Sequence, residues 1–198
     1  MIVVGILGDI GSGKSFVSRQ FNCPIFNADI EVNKIYKKNK NCYKKLRKSL
    51  PKYIKSFPIN KFELTKAILN NKRNLKKIVS VVHPIVRKQM NVFLKKNTKK
   101  DLVILDVPLL IENNLNQKEH VLIYVDSKRK HINLRLKKRK NYNKKIIANL
   151  RKLQKKSSLK KKISNNKIKN DFKLSTIKKR VKFIKNWSKF NLAFKLKG

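Results

Sequence analysis

Gly8-Asp9-Ile10-Gly11-Ser12-Gly13-Lys14-Ser15 is the stretch on which the fold turns. Its spacing is G-x-x-x-x-G-K-[ST], the pattern of a loop that wraps a polyphosphate. Glycines let successive backbone N–H groups curl round the anion where a Cβ would obstruct them. The run before it, Ile2 to Leu7, is apolar and β-branched, which predicts a buried strand ending in that loop. A helix is predicted to follow from about Gly13 to Phe21, with its positive N-terminal end toward the same anion. Lys14 is then placed to reach the β- and γ-phosphates of ATP, and the Ser15 hydroxyl to ligate Mg²⁺. GTPases, ATPases and small-molecule kinases share such a loop, so it does not by itself name the reaction.

Outward from the loop, strands and helices alternate. Pro24-Ile-Phe26 reads as a short strand closing at Asn27-Ala-Asp29, and residues 30–50 carry apolar side chains at helical spacing. Two helices are predicted over 61–70 and 72–96, the second containing His83-Pro84, where the proline should kink or break it. Asp101 to Asp106 is a strand, Pro108 to Leu115 a turn and short helix, Val121 to Asp126 a strand, and Lys128 to Lys140 a basic helix. Residues 141–162 are polar or basic, either a mobile lid or a solvated helix. Ile163 to Asn166 reads as a last short strand. Leu174, Ile177, Val181, Ile184, Trp187, Asn191 and Phe194 recur at helical spacing as a C-terminal helix covering a sheet. This alternation predicts a parallel α/β sheet flanked by helices. Ligands of such sheets sit beyond the carboxyl ends of the strands, where the loop, Asp29, Asp106 and Asp126 all fall.

The 198 residues fit one domain with small insertions. Cys23 and Cys42 do not make a disulfide framework and read as reduced thiols. No apolar run approaches the roughly 18 residues of a membrane span. The opening residues read as a strand rather than a signal peptide, so a cytoplasmic location is expected. The charge is extreme, with 53 Lys plus Arg against 10 Asp plus Glu and a net +43. Two explanations stand: a polyanionic partner, or drift in an AT-rich genome that enriches Lys, Asn and Ile together. The basic residues lie along the whole chain rather than in one patch, and no nucleic-acid-binding motif accompanies them, so no specific nucleic acid is expected.

The second half of the pattern narrows the reaction. GDIGSGKS at 8–15, NAD at 27–29, HP at 83–84, DVPLLIE at 106–112 and YVD at 124–126 together resemble the dephospho-CoA kinase family, in order and spacing from residue 1 to about 126. The resemblance implies a P-loop kinase core with a helical substrate-binding insertion (about 30–97) and a lid (about 140–162) within one kinase domain, 1–198. It implies ATP-dependent phosphorylation of the ribose 3′-hydroxyl of dephospho-CoA, with Mg²⁺. Gly8, Gly11, Ser12, Gly13, Lys14, Ser15, Phe16, Arg139 and Asn166 are then the expected ATP contacts, with Lys14, Asp29 and Arg135 catalytic. Asp29 would accept or orient the proton of the attacking hydroxyl. Ser15 and Asp106 would serve the metal, although Asp106 also reads as a strand-end cap. His83 and Glu112 would contact substrate; each has a structural alternative, a hydrogen-bonding histidine and a carboxylate paired with a neighbouring cation. Arg135 and Arg139, one helical turn apart, would clamp phosphate oxygens or else form a solvated face.

The chain departs from the family at three places. Asn27 replaces the first acid of the D-A-D motif, Ser164 replaces the acid ahead of Asn165-Asn166, and the glutamine-and-arginine pattern of the lid is not visible among the lysines. Three other readings follow: a different P-loop nucleotide or nucleoside kinase, an ATP-binding nucleic-acid-associated protein, and a degenerate pseudoenzyme. Oligomeric state is open, with a monomer expected.

Overall fold

The computed structural model describes residues 1–139 and 142–195, with side chains described as far as residue 186. The elements in chain order are β1 (Ile2–Gly8), α1 (Lys14–Arg19), β2 (Ile25–Asn27), α2 (Ala28–Lys38), α3 (Lys40–Ser49), α4 (Lys61–Asn70) and α5 (Lys72–Lys96). They continue with β3 (Leu102–Asp106), β4 (Val121–Asp126), α6 (Arg129–Lys137), α7 (Lys144–Lys152), α8 (Ser157–Ile163), β5 (Asn166–Lys169) and α9 (Leu174–Lys195). The chain divides into two compact units, one of residues 1–27, 96–142 and 151–198, the other of residues 28–95 and 143–150.

The first unit holds a five-stranded sheet in the order β2-β3-β1-β4-β5, with every pairing parallel. Parallel strands need crossovers and are covered on both faces, which explains why β1 and β3 are almost wholly apolar. Alternate residues of β1 separate by face. Ile2, Val4 and Ile6 join Ile104, Ile123, Val125 and Ile168 in one cluster with Val17 of α1, Phe21 just after that helix, and Ile177, Val181 and Ile184 of α9. Full burial of each such side chain stabilises by about 1.5–3 kcal/mol. The parallel register brings Gly8 beside Val125, Asn27 beside Asp106 and Asp126 beside Lys169. The strand ends that carry polar chemistry therefore share one edge of the sheet.

The second unit is helical. Ile35, Cys42, Leu46, Leu64, Ala67, Ile78, Val82, Val86 and Met90 are buried in it. Asn39 caps α3 by accepting from the Cys42 N–H at 2.8 Å, and Asn60 caps α4 by accepting from the Phe62 N–H at 2.8 Å. Each satisfies one of the donors that a helix start leaves open.

Several expectations need correction. Pro84 lies inside α5 and does not end it. Residues 109–114 form hydrogen-bonded turns rather than a helix, with Asn113 N–H to Leu109, Asn114 N–H to Ile111 and Leu115 N–H to Leu110. The stretch expected as a lid or solvated helix forms two helices, α7 and α8, while Lys140 and Asn141 lie outside the described residues. Within it Lys160 is buried. The last strand is Asn166–Lys169, because Ile163 closes α8 and Ile168 is the side chain that enters the core. Leu174 is exposed, whereas Ile177, Val181 and Ile184 are buried as expected; the side chains of Trp187, Asn191 and Phe194 lie outside those described.

Candidate active site

β1 delivers Gly8 to the carboxyl edge of the sheet, and the chain then loops back to start α1 at Lys14. Gly13 has φ 88°, which favours glycine, and a Cβ there would meet the Asn170 amide and come within 2.8 Å of Phe172. Within the loop the Ser12 N–H donates to the Asp9 carbonyl at 3.0 Å. The Lys14 ammonium donates to the carbonyls of Gly8 at 3.0 Å and Asp9 at 3.1 Å. It is thus held across the loop by neutral acceptors that an anionic oxygen outcompetes. The Ser12 carbonyl accepts from Ser127 Oγ at 2.7 Å and from Asn170 Nδ2 at 2.8 Å. The Ser12 hydroxyl is buried without a hydrogen-bond partner, over Gly8. A buried hydroxyl left over in a loop of this shape suits an oxygen-rich ligand. Ser15 is half-buried in the first turn of α1, and Phe16 packs its ring against the core.

Beside the loop, β3 ends at the buried Asp106, whose Oδ2 accepts from Asn27 Nδ2 at 2.6 Å. A hydroxyl and one or two carboxylates are donors that Mg²⁺ takes together with substrate phosphates and water. Among the described residues no three His, Cys, Asp or Glu side chains cluster to hold a metal by themselves. The Ser15 hydroxyl and the Asp106 carboxylate are oxygen donors of the kind such an ion takes.

The other flank of the loop is built by residues 151–160. Gln154 accepts from the Ile10 N–H at 3.3 Å and donates to the Pro108 carbonyl at 3.3 Å. Ser157 Oγ lies 2.9 and 2.8 Å from the two Asp9 carboxylate oxygens. Lys160 Nζ lies 3.4 Å from Asp9 and 3.8 Å from Glu112, whose carboxylate also accepts from the Lys155 N–H at 2.9 Å. A cavity of about 320 Å³ opens here, walled by Arg129, Arg151, Lys155 and Lys156. Its basic rim is complementary to a polyphosphate. The Tyr124 phenol stands in the same network, its pKa pushed up to about 12 chiefly by burial.

The arginines read from the sequence are both exposed on α6 or just beyond it. The Arg135 guanidinium stacks on Phe172 with its carbon 4.2 Å from the ring centre, in the loop after β5. The expectation for Asn166 needs correction. It opens β5 opposite Ile123, three residues short of the carboxyl edge, roughly 10 Å along the strand. Asn170 follows the strand instead, buried, with its N–H on the Asp126 carbonyl at 2.7 Å. Burial pushes the Cys23 and Cys42 thiols up to about 11, so both are protonated at neutral pH and neither supplies a thiolate.

Two expected residues belong to the helical unit. Asp29 is exposed in the first turn of α2, two residues after β2 ends. His83 is half-buried in α5. Glu112 is engaged with Lys155 and Lys160, the cation-paired alternative for this residue.

Gln154, Ser157, Lys160 and Asn170 gather round the loop, and none is singled out by the sequence; Asp9 is read there only as a member of the loop. Arg151-Lys-Leu-Gln154 supplies a glutamine and an arginine in the lid region after all. A search for Asn after the last strand finds Asn170 once that strand is centred on Ile168. Lys160 has no signal of its own in a chain with 53 Lys plus Arg.

Comparison with known proteins bears on this geometry. The sequence model of the dephospho-CoA kinase family matches residues 2–176. The chain is 34% identical to a dephospho-CoA kinase of Wolbachia sp. subsp. Brugia malayi over 64% of this chain and 68% of that one. It is 33% identical to a dephospho-CoA kinase of Zymomonas mobilis over 57% of this chain and 58% of that one. The alignment to the second relative thus spans less than two thirds of its length. The structure is similar to that of TT1252 from Thermus thermophilus, with TM-score 0.71, 23% identity and coverage of 92% and 95% of the two chains, a likeness of fold.

Proposed function

Because this chain belongs to the dephospho-CoA kinase family, we propose that it transfers the γ-phosphoryl group of ATP to the ribose 3′-hydroxyl of dephospho-CoA, giving coenzyme A and ADP. The observation that carries the reading is the loop 8–15 at the carboxyl edge of a parallel sheet, with Lys14 donating to the carbonyls of Gly8 and Asp9 and with Asp106 at the end of the neighbouring strand β3. The acceptor oxygen attacks the γ-phosphorus, the bond to the β,γ-bridging oxygen breaks, and ADP leaves with those electrons. Loop N–H groups and Lys14 hold the phosphates and neutralise charge that builds on the leaving oxygen. Ser15 and Asp106 would hold Mg²⁺, which when bound supplies further neutralisation of the phosphate oxygens. Asp29 takes or orients the proton of the attacking hydroxyl, and since phosphoryl transfer is loosely bonded in its transition state, orientation is the larger part.

Arg135 from α6 and Arg139 from just beyond it serve the phosphates, and His83 the acceptor. No helix among the described residues is long and apolar enough to cross a membrane. The protein acts as a cytoplasmic enzyme on a diffusible substrate, and the charge of +43 attracts both phosphorylated reactants without a dedicated nucleic-acid partner.

The test is ADP formation from ATP and Mg²⁺ with and without dephospho-CoA, in moderate salt, with coenzyme A identified as product. Acceptor-dependent turnover supports the proposal. ATP binding with no turnover on dephospho-CoA, and turnover on another nucleoside or nucleotide, would sink it.

A further inference from the structure

Lys160 stands apart from the other lysines. Among the described residues it is the buried one, with a side chain 2% exposed in a chain whose lysines otherwise line the surface. Taking an ammonium out of water is strongly unfavourable unless it is paired. Its partners are two carboxylates from separate parts of the sheet edge. Asp9, second residue of the phosphate loop, lies 3.4 Å away, and Glu112, in the turn after β3, lies 3.8 Å away. Ser157, nearly one turn earlier in α8, sets its hydroxyl against the Asp9 carboxylate, 2.9 and 2.8 Å from the two oxygens, and Gln154 ties Ile10 to Pro108. One segment thus fastens the loop to the β3 turn, and its charge sits between their acids.

An acid inside a phosphate loop opposes the ligand of that loop. Without Lys160, Asp9 and Glu112 would present two negative charges, Glu112 with only 9% of its side chain exposed, next to an incoming triphosphate. Water screens a charge so placed only weakly. We infer that Lys160 is a positioning residue for the nucleotide, cancelling the charge of Asp9 and Glu112 and fixing Asp9 so that the loop accepts the phosphates of ATP. The inference rests on the kinase reading for its ligand, but its chemistry is that of any nucleoside triphosphate in this loop.

The experiment compares wild type, Lys160→Met, Asp9→Asn and the double variant by ATP titration calorimetry, by steady-state kinetics and by thermal melting. Lys160→Met should raise the Kd and KM for ATP about tenfold, while the KM for dephospho-CoA moves less than about twofold. The double variant should recover ATP affinity to within about threefold of wild type, since the acid left uncompensated in the loop is gone. A merely structural lysine would lower the melting temperature and leave the ATP affinity of the folded protein, and its rescue by Asp9→Asn, unmoved. If Lys160→Met melts below the assay temperature, Lys160→Gln, neutral but still a donor, is measured against the same thresholds. ATP affinity within about twofold of wild type in the folded single variant, or a double variant as weak as the single, overturns the inference. Wild type that binds ATP without turning over dephospho-CoA overturns the kinase reading instead, and the binding constants still decide the role of Lys160.

Discussion

Asn170 donates its side-chain amide to the carbonyl of Ser12 at 2.8 Å, from the first position beyond β5 to the middle of the phosphate loop. The carbonyl and N–H of a trans peptide point in opposite directions. Holding the Ser12 carbonyl back therefore turns the Gly13 N–H the other way, as a loop that receives phosphate requires. Asn170 also accepts from the Phe172 N–H at 2.9 Å, which keeps the amide in this orientation.

Replacing Asn170 by alanine should consequently affect both stability and nucleotide binding. The buried Ser12 carbonyl keeps only Ser127, and the Phe172 N–H loses its acceptor. A loss of about 1–3 kcal/mol in unfolding free energy is expected, with KM for ATP raised several-fold and KM for the acceptor little changed. Chemical denaturation and steady-state kinetics read the two effects separately. An Asn170→Ala protein with wild-type KM for ATP would show that Ser127 alone suffices.

Lys14→Ala should behave oppositely. Lys14 is half-buried at the first position of α1, where alanine is a good helix former, so the melting temperature should shift by only a few degrees. Turnover depends on a charge aimed at the transferring phosphoryl, and kcat/KM should fall by roughly 10²–10³-fold. Phosphoryl transfer near the wild-type rate would place the essential charge elsewhere, with Arg135 the next candidate.

How far the sequence could be read depended on contrast. β1 and the loop stood out because an apolar β-branched run meets three glycines, and the limits of α4 and α5 matched because Asn60, Asn71 and the apolar spacing mark them. The strand holding Ile168 did not stand out: Lys167 and Lys169 flank its one buried side chain, and the lysine tract around it erases the alternation. The Pro108–Leu115 stretch has helical spacing but too few residues to complete more than isolated turns. Lys160 was illegible for a physical reason. Burial of a lysine depends on acids 151 and 48 positions away, and no local pattern encodes that. Of the candidate site, the loop and Asp106 were read correctly as strand-end features, while Gln154, Ser157 and Asn170 needed the fold to bring them to the loop.

Acid should destabilise the protein through His120. This histidine is buried ahead of β4, and its Nδ1 accepts from the Gln117 N–H at 3.2 Å, so the ring is neutral at that nitrogen. Desolvation lowers its pKa below the ordinary value of 6.5, against a smaller opposite effect from Glu119. A base with a lowered folded pKa contributes stability above its unfolded value and loses it as pH falls through that value toward the folded one. Unfolding free energy should therefore drop as pH falls below about 6.5, and His120→Asn, which keeps an acceptor but cannot charge, should flatten that segment of the curve. An identical slope in the variant would assign the acid sensitivity to other groups.

Asn27 gives the most direct test of the departure from the family motif. It lies beside Asp106 across the β2–β3 pair, and its amide donates to the Asp106 carboxylate at 2.6 Å. Asn27→Asp would restore the motif acid but convert that hydrogen bond into a contact of two carboxylates, one of them buried. Like charges so close raise one pKa or destabilise the fold, here by about 1–3 kcal/mol at neutral pH without metal. A divalent cation bound by the oxygens of Ser15 and Asp106 would relieve the repulsion, and ligand bound to the native state alone raises the melting temperature. The variant should therefore melt lower than wild type in chelator and gain more than wild type from millimolar Mg²⁺ with a non-hydrolysable ATP analogue. Equal melting in chelator would mean that the side chain at 27 turns away from Asp106 when charged. An equal gain from Mg²⁺ would place the cation out of reach of both residues, and Asp106 would then be a strand-end acid held by Asn27 rather than part of a metal site.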